Sequence, residues 1–178
     1  MAVRVSTVYR QRVHALWDDL GIAVEMVHAR RLPLHAEAQR LQPIGLGTDG
    51  RDKMLTPGAA EAWVAMRAAA HAQGVELLLI SAFRSVDFQA GLIRGKLAKG
   101  RAIEEILTVN APPGCSEHHT GRAVDIGAVD CPPLEAEFET TAAYRWLTVN
   151  AARFDFVMSY PKDNAEGYLY EPWHWCFS

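Results

Sequence analysis

Two short segments of the chain contain side chains that can bind a metal ion. The first is Ser116–Asp125 (SEHHTGRAVD) and the second is Glu171–His174 (EPWH). His118, Asp125 and His174 supply two imidazoles and one carboxylate. A catalytic zinc typically takes three such protein ligands and leaves a fourth position for water. The residue types therefore fit a zinc site, although spacing alone leaves open that they are polar surface residues or hydrogen-bonded core residues.

Glu171 is an additional carboxylate close to the third candidate ligand. A carboxylate there can accept a proton from zinc-bound water and pass it to a leaving amine. Glu171 precedes His174 by three residues, which places the two on opposite faces of a regular strand. Because Pro172 cannot donate a ladder hydrogen bond, a bulge or an edge position there can turn both side chains toward the metal. A turn at Gly121 can bring His118 and Asp125 onto neighbouring strands, with both side chains facing one cleft.

Other possible ligands have simpler explanations. His119 adjoins a candidate ligand, and neighbouring residues of a strand point to opposite faces, so we expect a surface or hydrogen-bonding role. Cys176 follows His174 by two residues, which leaves a thiolate ligand open, but a buried inert thiol is the expected role. Together with Cys115 and Cys131 it makes three cysteines without CxxC spacing. This pattern is neither a disulfide framework nor a four-cysteine zinc site, and we expect reduced thiols.

Hydrophobic spacing and turn residues predict helices first and most strands late. The predicted helices begin near Ser6 or Thr7, Thr56, Ser85, Ala102 and Thr140, and the first three end near Gly21, Gly74 and Gly100. The predicted strands cover Val75–Ser81, 123–128, 156–160 and 168–177. Residues 22–50 are rich in Pro, Gly and Arg and are expected to be mostly irregular.

This order of elements is typical of an α+β fold, and we expect a small antiparallel sheet that carries the zinc site and is flanked by helices. The chain has 178 residues, of which 49% are hydrophobic, so it has the size and core of one domain. We divide the single domain 1–178 into an N-terminal helical region, about 1–74, and a metal-binding core, about 75–178.

The composition restricts the possible partners. Lys and Arg number 18 and Asp and Glu number 21, for a net charge of −3. This near balance gives no electrostatic case for nucleic acid or an anionic membrane as a partner. No apolar run is long enough to predict a membrane span. The first residues, MAVRVS, lack the apolar stretch of a secretory signal. We therefore expect a cytoplasmic location for the chain as it stands, with export or a removed leader left open.

The two segments resemble the SxHxxGxAxD and ExWH motifs of the LAS metallopeptidases, a group named for lysostaphin, D-Ala-D-Ala peptidases and sonic hedgehog. Within that group the chain is most similar to VanY-type D,D-carboxypeptidases and the related L,D-carboxypeptidases. Three further segments agree in the same order: Ser81–Ser85 with Gln89 is similar to SxYRSxxxQ, Pro113–His118 to PGxSEH, and Trp146–Ala151 to WLxxNA. The similarity extends from about Leu32 to Phe177.

The resemblance implies a role for each motif residue. It makes His118, Asp125 and His174 the ligands of a catalytic Zn²⁺ and Glu171 the general base. It also implies that Arg84 binds the C-terminal carboxylate of the substrate or stabilises the oxyanion, since a guanidinium forms two parallel hydrogen bonds with a carboxylate. A plain salt bridge is the alternative role for this arginine.

Gln89 and Ser116 are implied to line the same pocket, but several positions depart from the family pattern. Phe83 occupies a position where tyrosine is common, so a hydroxyl beside the arginine is lost. Asp155 replaces a usual glycine, and aspartate tolerates a left-handed backbone better than most residues. Trp175–Phe177 replaces a common Tyr-Arg-Tyr ending, which leaves the substrate specificity open.

By resemblance, the expected function is zinc-dependent D,D-carboxypeptidase activity on the terminal D-Ala-D-Ala bond of a peptidoglycan stem peptide or its precursor. Three alternatives stay open at this point. They are an L,D-carboxypeptidase that trims tetrapeptides during cell-wall recycling, a phage-type endopeptidase, and a zinc-binding module without hydrolysis. Glu171 argues against the last alternative, because a structural zinc site needs no base.

Overall fold

A computed structural model describes residues 5–178, so the first four residues of the predicted domain lie outside the description. The α-helices are α1 (Thr7–Leu20), α2 (Val24–Ala29), α3 (Pro57–His71), α4 (Val86–Leu97), α5 (Ile103–Val109) and α6 (Ala142–Asn150). The strands are β1 (Gln42–Leu46), β2 (Asp52–Leu55), β3 (Leu78–Ser81), β4 (Ala123–Gly127), β5 (Phe156–Met158) and β6 (His174–Phe177). This mixture of helices with small antiparallel sheets confirms the predicted α+β class.

The larger sheet has four strands in the order β3-β4-β6-β5, and each neighbouring pair is antiparallel. All five residues of β4 are buried. This strand therefore lies in the interior of the domain, where it can hold a polar side chain away from bulk water. The remaining strands, β1 and β2, form a separate antiparallel hairpin.

Two groups of buried apolar side chains support the sheet. One contains residues of α3, α6 and the four-stranded sheet, including Trp63, Leu147 and Phe156. The other contains residues of α1, α4 and α5, including Trp17 and Ile93. Within the described residues, no helix is both long and apolar enough to cross a membrane.

Local signals in the sequence set several element boundaries as predicted. The Ser6 side chain accepts a hydrogen bond from the Tyr9 N–H at the start of α1, and Gly21 ends that helix with a φ of 69°. Ser85 caps α4 in the same manner. Asp155 adopts a φ of 58°, the left-handed conformation expected from its replacement of a glycine.

The prediction that residues 22–50 are irregular is wrong in two places, because α2 and β1 lie in this range. Pro43 and Gly45 suggested a loop, but both fit the hairpin. The register shifts between them, and Gly45 has a φ of 107°, which marks a β-bulge. Proline is tolerated on an edge strand. The N-terminal region that was predicted to be helical consequently also contains a β-hairpin.

For two strands, the predicted first residue lies before the observed first residue. The strand predicted over Val75–Ser81 starts at Leu78, because the Val75 N–H is used by the Ala70 carbonyl at the end of α3. The strand predicted over 168–177 starts only at His174, since a turn precedes it. The helix that was predicted to begin near Thr140 is α6, and a 3₁₀ turn over Ala151–Phe154 follows it directly.

Candidate metal centre

Asp125 lies in the middle of β4 and pairs with a residue of each neighbouring strand. Its partner on β6 is His174, and its partner on β3 is Ser81. Side chains directly opposite one another in an antiparallel pair point to the same face of the sheet. The sheet register therefore brings Asp125 and His174 together, although they are far apart in sequence.

His118 comes from a 3₁₀ turn over Glu117–Thr120, so the prediction that it lies on a strand beside Asp125 is wrong. The Ser116 side chain accepts a hydrogen bond from the His118 N–H at the start of this turn. Gly121 ends it with a φ of 65°, and a Cβ built there would lie 2.8 Å from Leu41 Cδ2. Both the backbone conformation and the available space thus favour glycine at the turn that leads into β4.

The three candidate ligands converge on one point. His118 Nε2 lies 3.2 Å from Asp125 Oδ1, and His174 Nδ1 lies 3.0 Å from the same oxygen. One potential ligand atom from each residue lies within 4.8 Å of the other two. Zinc bonds of 2.0–2.2 Å at tetrahedral angles separate ligand atoms by roughly 3.3–3.6 Å. All three residues are at most 3% exposed. The donor set, spacing and burial fit a zinc ion.

The second nitrogen of each imidazole is held by an oxygen atom. His118 Nδ1 lies 2.6 Å from the Ala82 carbonyl oxygen, and His174 Nε2 lies 2.9 Å from Glu117 Oε2. Each nitrogen donates to its oxygen in this arrangement. When both rings are neutral, the lone pairs of His118 Nε2 and His174 Nδ1 are therefore directed at Asp125, where a metal would bind.

Buried charges set the protonation of the cluster. Burial raises the pKa of Asp125, but His118, His174 and Arg84 hold it well below its ordinary range, so this group is a carboxylate. Burial opposes charge on His174, yet the hydrogen bonds and charges of Asp125 and Glu117 raise its pKa to about 10. Burial and the Arg84 charge lower the pKa of His118 to about 4. A bound metal replaces the proton on His174, since ligand imidazoles are neutral.

Glu171 lines a cavity beside His118 and His174. A turn at Pro172 and Trp173 separates Glu171 from β6, and the His174 N–H donates to the Glu171 carbonyl. In place of the bulge or edge position expected at Pro172, the structure has a turn before the strand. Burial raises the pKa of the Glu171 carboxyl to about 7. That value suits a group that accepts and releases a proton near neutral pH.

Arg84 also lines the cavity and contacts one of the candidate ligands. Its Nη2 lies 3.3 Å from Asp125 Oδ2, and its Nη1 donates to Gln89 Oε1 at 3.3 Å. The Nε atom is buried and has no hydrogen-bond partner among residues 5–178. The guanidinium thus forms an ion pair with Asp125 and keeps a buried donor that has no partner among these residues, so the salt-bridge and substrate-binding roles are compatible.

The cavity brings the remaining predicted residues together and adds others. Gln89 and Ser116 lie on its wall, and Gln89 Nε2 donates to the Ala111 carbonyl. Residues of the wall that the sequence did not indicate are Val109, Asn110, Ala111, Tyr160 and Tyr168. These residues lie outside the motif segments, so the sequence gave no signal of their position at the site.

His119 and Cys176 do not belong to the three-residue cluster. His119 is fully buried, with Nδ1 2.6 Å from the Arg84 carbonyl and Nε2 accepting the Gly114 N–H at 3.0 Å. The hydrogen-bonding role expected for it is confirmed, whereas the surface role is wrong. Burial raises the pKa of the Cys176 thiol to about 12, so this group is a thiol.

The fold and the site together define a LAS-type metallopeptidase domain. Residues 52–178 match the family described as VanY, D-alanyl-D-alanine carboxypeptidase, and the chain belongs to this family. The resemblance noted in the sequence is thereby confirmed.

Three proteins illustrate the relationship at the level of sequence. The chain is 38% identical over 121 residues to YodJ of Bacillus subtilis, covering 65% of this chain and 43% of YodJ. It is 37% identical over 117 residues to a D-alanyl-D-alanine carboxypeptidase of Enterococcus faecalis, covering 60% of this chain and 42% of that protein. A third relative is the bifunctional D-Ala-D-Ala dipeptidase and carboxypeptidase VanXYC of Enterococcus gallinarum, 31% identical over 134 residues, covering 69% of this chain and 66% of the relative. The chain spans less than half the length of the first two.

Solved structures share the fold. The LD-carboxypeptidase LdcB superposes with a TM-score of 0.71 at 30% identity, over 82% of this chain and 71% of LdcB. A mutant of the vancomycin-resistance D,D-pentapeptidase VanY, in complex with Zn(II), gives a TM-score of 0.61 at 29% identity, over 82% of both chains. VanYB in complex with D-alanine-D-alanine gives 0.62 at 29% identity, over 82% of this chain and 80% of VanYB.

Proposed function

We propose that the protein is a zinc-dependent D,D-carboxypeptidase that removes the C-terminal D-alanine from a peptidoglycan stem peptide or its precursor. The observation that carries the proposal is the buried cluster of His118, Asp125 and His174, which shares a cavity with Glu171 and Arg84. Membership of the VanY family and the D-Ala-D-Ala bound to VanYB support the choice of substrate.

Zinc is the metal that fits the donor set, and it is the ion bound in the VanY complex. His118, Asp125 and His174 would hold it and leave a position for water. When bound, zinc lowers the pKa of a coordinated water to about 7 and polarises a carbonyl group.

Glu171 performs the proton transfers in this proposal. Its carboxylate accepts a proton from the attacking water as the new C–O bond forms at the scissile carbonyl. It then delivers that proton to the amide nitrogen as the C–N bond breaks, so that the amine leaves as free D-alanine. The partly buried position of Glu171 on the cavity wall favours both steps, because burial raises its pKa to about 7.

Arg84 and Gln89 recognise the free end of the substrate. An exopeptidase must distinguish a terminal carboxylate from an internal amide. The side chains of Arg84 and Gln89 line the cavity that the candidate ligands share, and Arg84 Nε is a buried donor without a hydrogen-bond partner among residues 5–178. A guanidinium is well suited to bind a carboxylate in a cavity that is partly shielded from water.

L,D-carboxypeptidase activity is the second candidate, and it is favoured by the TM-score of 0.71 with LdcB. Both activities release a C-terminal D-alanine and use the same metal, base and carboxylate recognition. They differ in the configuration of the residue that precedes the scissile bond. The wall residues that meet this preceding residue therefore decide between the two activities.

Defined stem peptides test the proposal. Synthetic tri-, tetra- and pentapeptides are incubated with the zinc-loaded protein, and the products are identified by mass spectrometry. We expect the pentapeptide ending in D-Ala-D-Ala to lose one alanine. Loss of alanine from the tetrapeptide alone would establish the L,D activity instead, and an intact peptide set would contradict both. The Glu171→Gln variant is the matched control for contaminating peptidases.

A further inference from the structure

Glu117 connects a candidate metal ligand to a second strand of the sheet. Its Oε2 lies 2.9 Å from His174 Nε2 and accepts a hydrogen bond of 2.5 Å from the Ser159 hydroxyl. Glu117 belongs to the 3₁₀ turn that carries His118, whereas Ser159 directly follows β5. The carboxylate thus contacts the edge of the His174 ring that faces away from the metal position.

A carboxylate can only accept hydrogen bonds, which determines the tautomer of the ring that it contacts. Because His174 Nε2 must carry the proton shared with Glu117, a neutral His174 presents its lone pair at Nδ1. That atom is the one that lies 3.0 Å from Asp125 Oδ1. The hydrogen bond therefore fixes both the orientation and the ligand atom of His174.

The two candidate histidine ligands are held differently. His118 is held by the neutral carbonyl of Ala82, and His174 is held by a carboxylate. A negatively charged acceptor makes an imidazole a more basic ligand than a neutral acceptor does. Glu117 would also add a negative charge to that of Asp125 near a buried divalent cation.

We propose that Glu117 is a positioning residue for the metal ligand His174, and that Ser159 holds Glu117 in place. The inference rests on the metal site of the proposed function and adds to it a residue that does not touch the metal. Removing such a carboxylate partner typically weakens metal affinity by about 10- to 100-fold. Glu117→Gln keeps the shape of the side chain and removes its charge, so it isolates the effect of the carboxylate.

The test compares zinc affinities by competition with a chromophoric chelator. We expect Glu117→Gln to bind zinc about 10- to 100-fold more weakly than the wild type. Ser159→Ala should weaken binding by a smaller factor, and the double variant should bind no more weakly than Glu117→Gln alone. Glu61→Gln, at an exposed position of α3, is the matched control and should bind as the wild type does. The visible absorption spectrum of the cobalt-substituted protein should shift in Glu117→Gln and stay unchanged in Glu61→Gln.

Two results would overturn the inference. Wild-type zinc affinity together with a wild-type cobalt spectrum in folded Glu117→Gln would show that the carboxylate does not position His174. If Glu117→Gln does not fold, the zinc affinity of Ser159→Ala is the test. A wild-type affinity in Ser159→Ala would then contradict the inference. Failure of the proposed function is distinguishable, because it would show as uncleaved stem peptides or as a wild-type protein that binds no zinc, whereas this test compares the zinc affinities of variants with that of the wild type.

Discussion

Asp125 of β4 and His174 of β6 are directly opposite residues of an antiparallel pair, with Oδ1 of the aspartate 3.0 Å from Nδ1 of the histidine. A shift of one residue in this register would move the histidine to the other face of the sheet. The ligand set therefore depends on the same strand pairing that forms the core. A metal bound by these residues would couple to sheet formation, because a ligand that binds only the paired strands stabilises them.

Loss of the ligand on β6 should abolish stoichiometric metal binding. We expect His174→Ala to lose the tightly bound zinc, since two remaining ligands leave the ion poorly coordinated. Metal analysis of the purified protein measures the zinc content per chain. His71→Ala, at an exposed position of α3, should retain one zinc. Full occupancy of the native site in His174→Ala would show that the ligand assignment is wrong.

Removing the proton acceptor should separate metal binding from turnover. Glu171→Gln preserves the shape of the side chain but cannot accept a proton, so we expect zinc content and unfolding temperature close to wild type. General acid–base groups contribute roughly 100- to 10,000-fold to rate, and kcat should fall by a factor in that range. Release of D-alanine is the measurement. A kcat near that of the wild type would remove Glu171 from the mechanism.

Short-range patterns in the sequence were sufficient to indicate the candidate metal cluster and most helices. Both motifs place ligand types at fixed spacing, and the structure brings His118, Asp125 and His174 within hydrogen-bonding distance. Helix boundaries followed from capping serines and from glycines with positive φ, which are local properties of the chain. A pattern over a few residues is therefore sufficient to predict helix boundaries and the spacing of ligands within a motif.

Features that depend on pairing between distant segments were not predictable in this way. Glu117 stands inside the first motif, but its contact with His174 spans 57 residues and exists only because the sheet closes. The hairpin of β1 and β2 was missed because Pro43 and Gly45 are also typical of loops. The local sequence is ambiguous there, and tertiary contacts decide the conformation.

His119 should make the stability of the metal-free protein depend on pH. Its Nε2 accepts the Gly114 N–H, so the folded protein holds the ring neutral, and burial lowers its pKa to about 4. The unfolded chain has a histidine pKa of about 6.5. The stabilising contribution is therefore fully present above pH 6.5 and is lost as pH falls from there toward 4. We expect a loss on the order of 1–3 kcal/mol across this window.

Urea unfolding in the presence of a chelator, at several pH values between 7 and 4, measures this dependence. The free energy of unfolding should fall less steeply with pH in His119→Gln than in the wild type, because glutamine does not titrate. His71→Gln, at an exposed position of α3, is the control for replacing a histidine elsewhere in the domain. Parallel curves for wild type and His119→Gln would mean that another group causes the acid sensitivity.

Arg84 should determine whether the proposed activity requires a substrate with a free C-terminus. If its guanidinium binds the terminal carboxylate, a hydrogen bond to a charged group worth about 1.5–3 kcal/mol is lost in Arg84→Ala. Since each 1.4 kcal/mol is about tenfold in rate, kcat/KM should fall by roughly ten- to a few hundred-fold. Arg84→Lys should recover only part of this loss, because an ammonium group lacks the planar pair of donors. Steady-state release of D-alanine measures both variants.

Amidation of the substrate separates this contact from the ion pair between Arg84 and Asp125, which also changes in the variants. If Arg84 binds the carboxylate directly, amidating the C-terminus should slow the wild type strongly and Arg84→Ala only slightly. Such non-additivity is the signature of two groups in contact. An indirect effect of Arg84 through Asp125 predicts instead that amidation slows both proteins by the same factor. Equal cleavage of amidated and free peptides by the wild type would contradict the carboxypeptidase assignment and favour an endopeptidase, which meets no terminal charge.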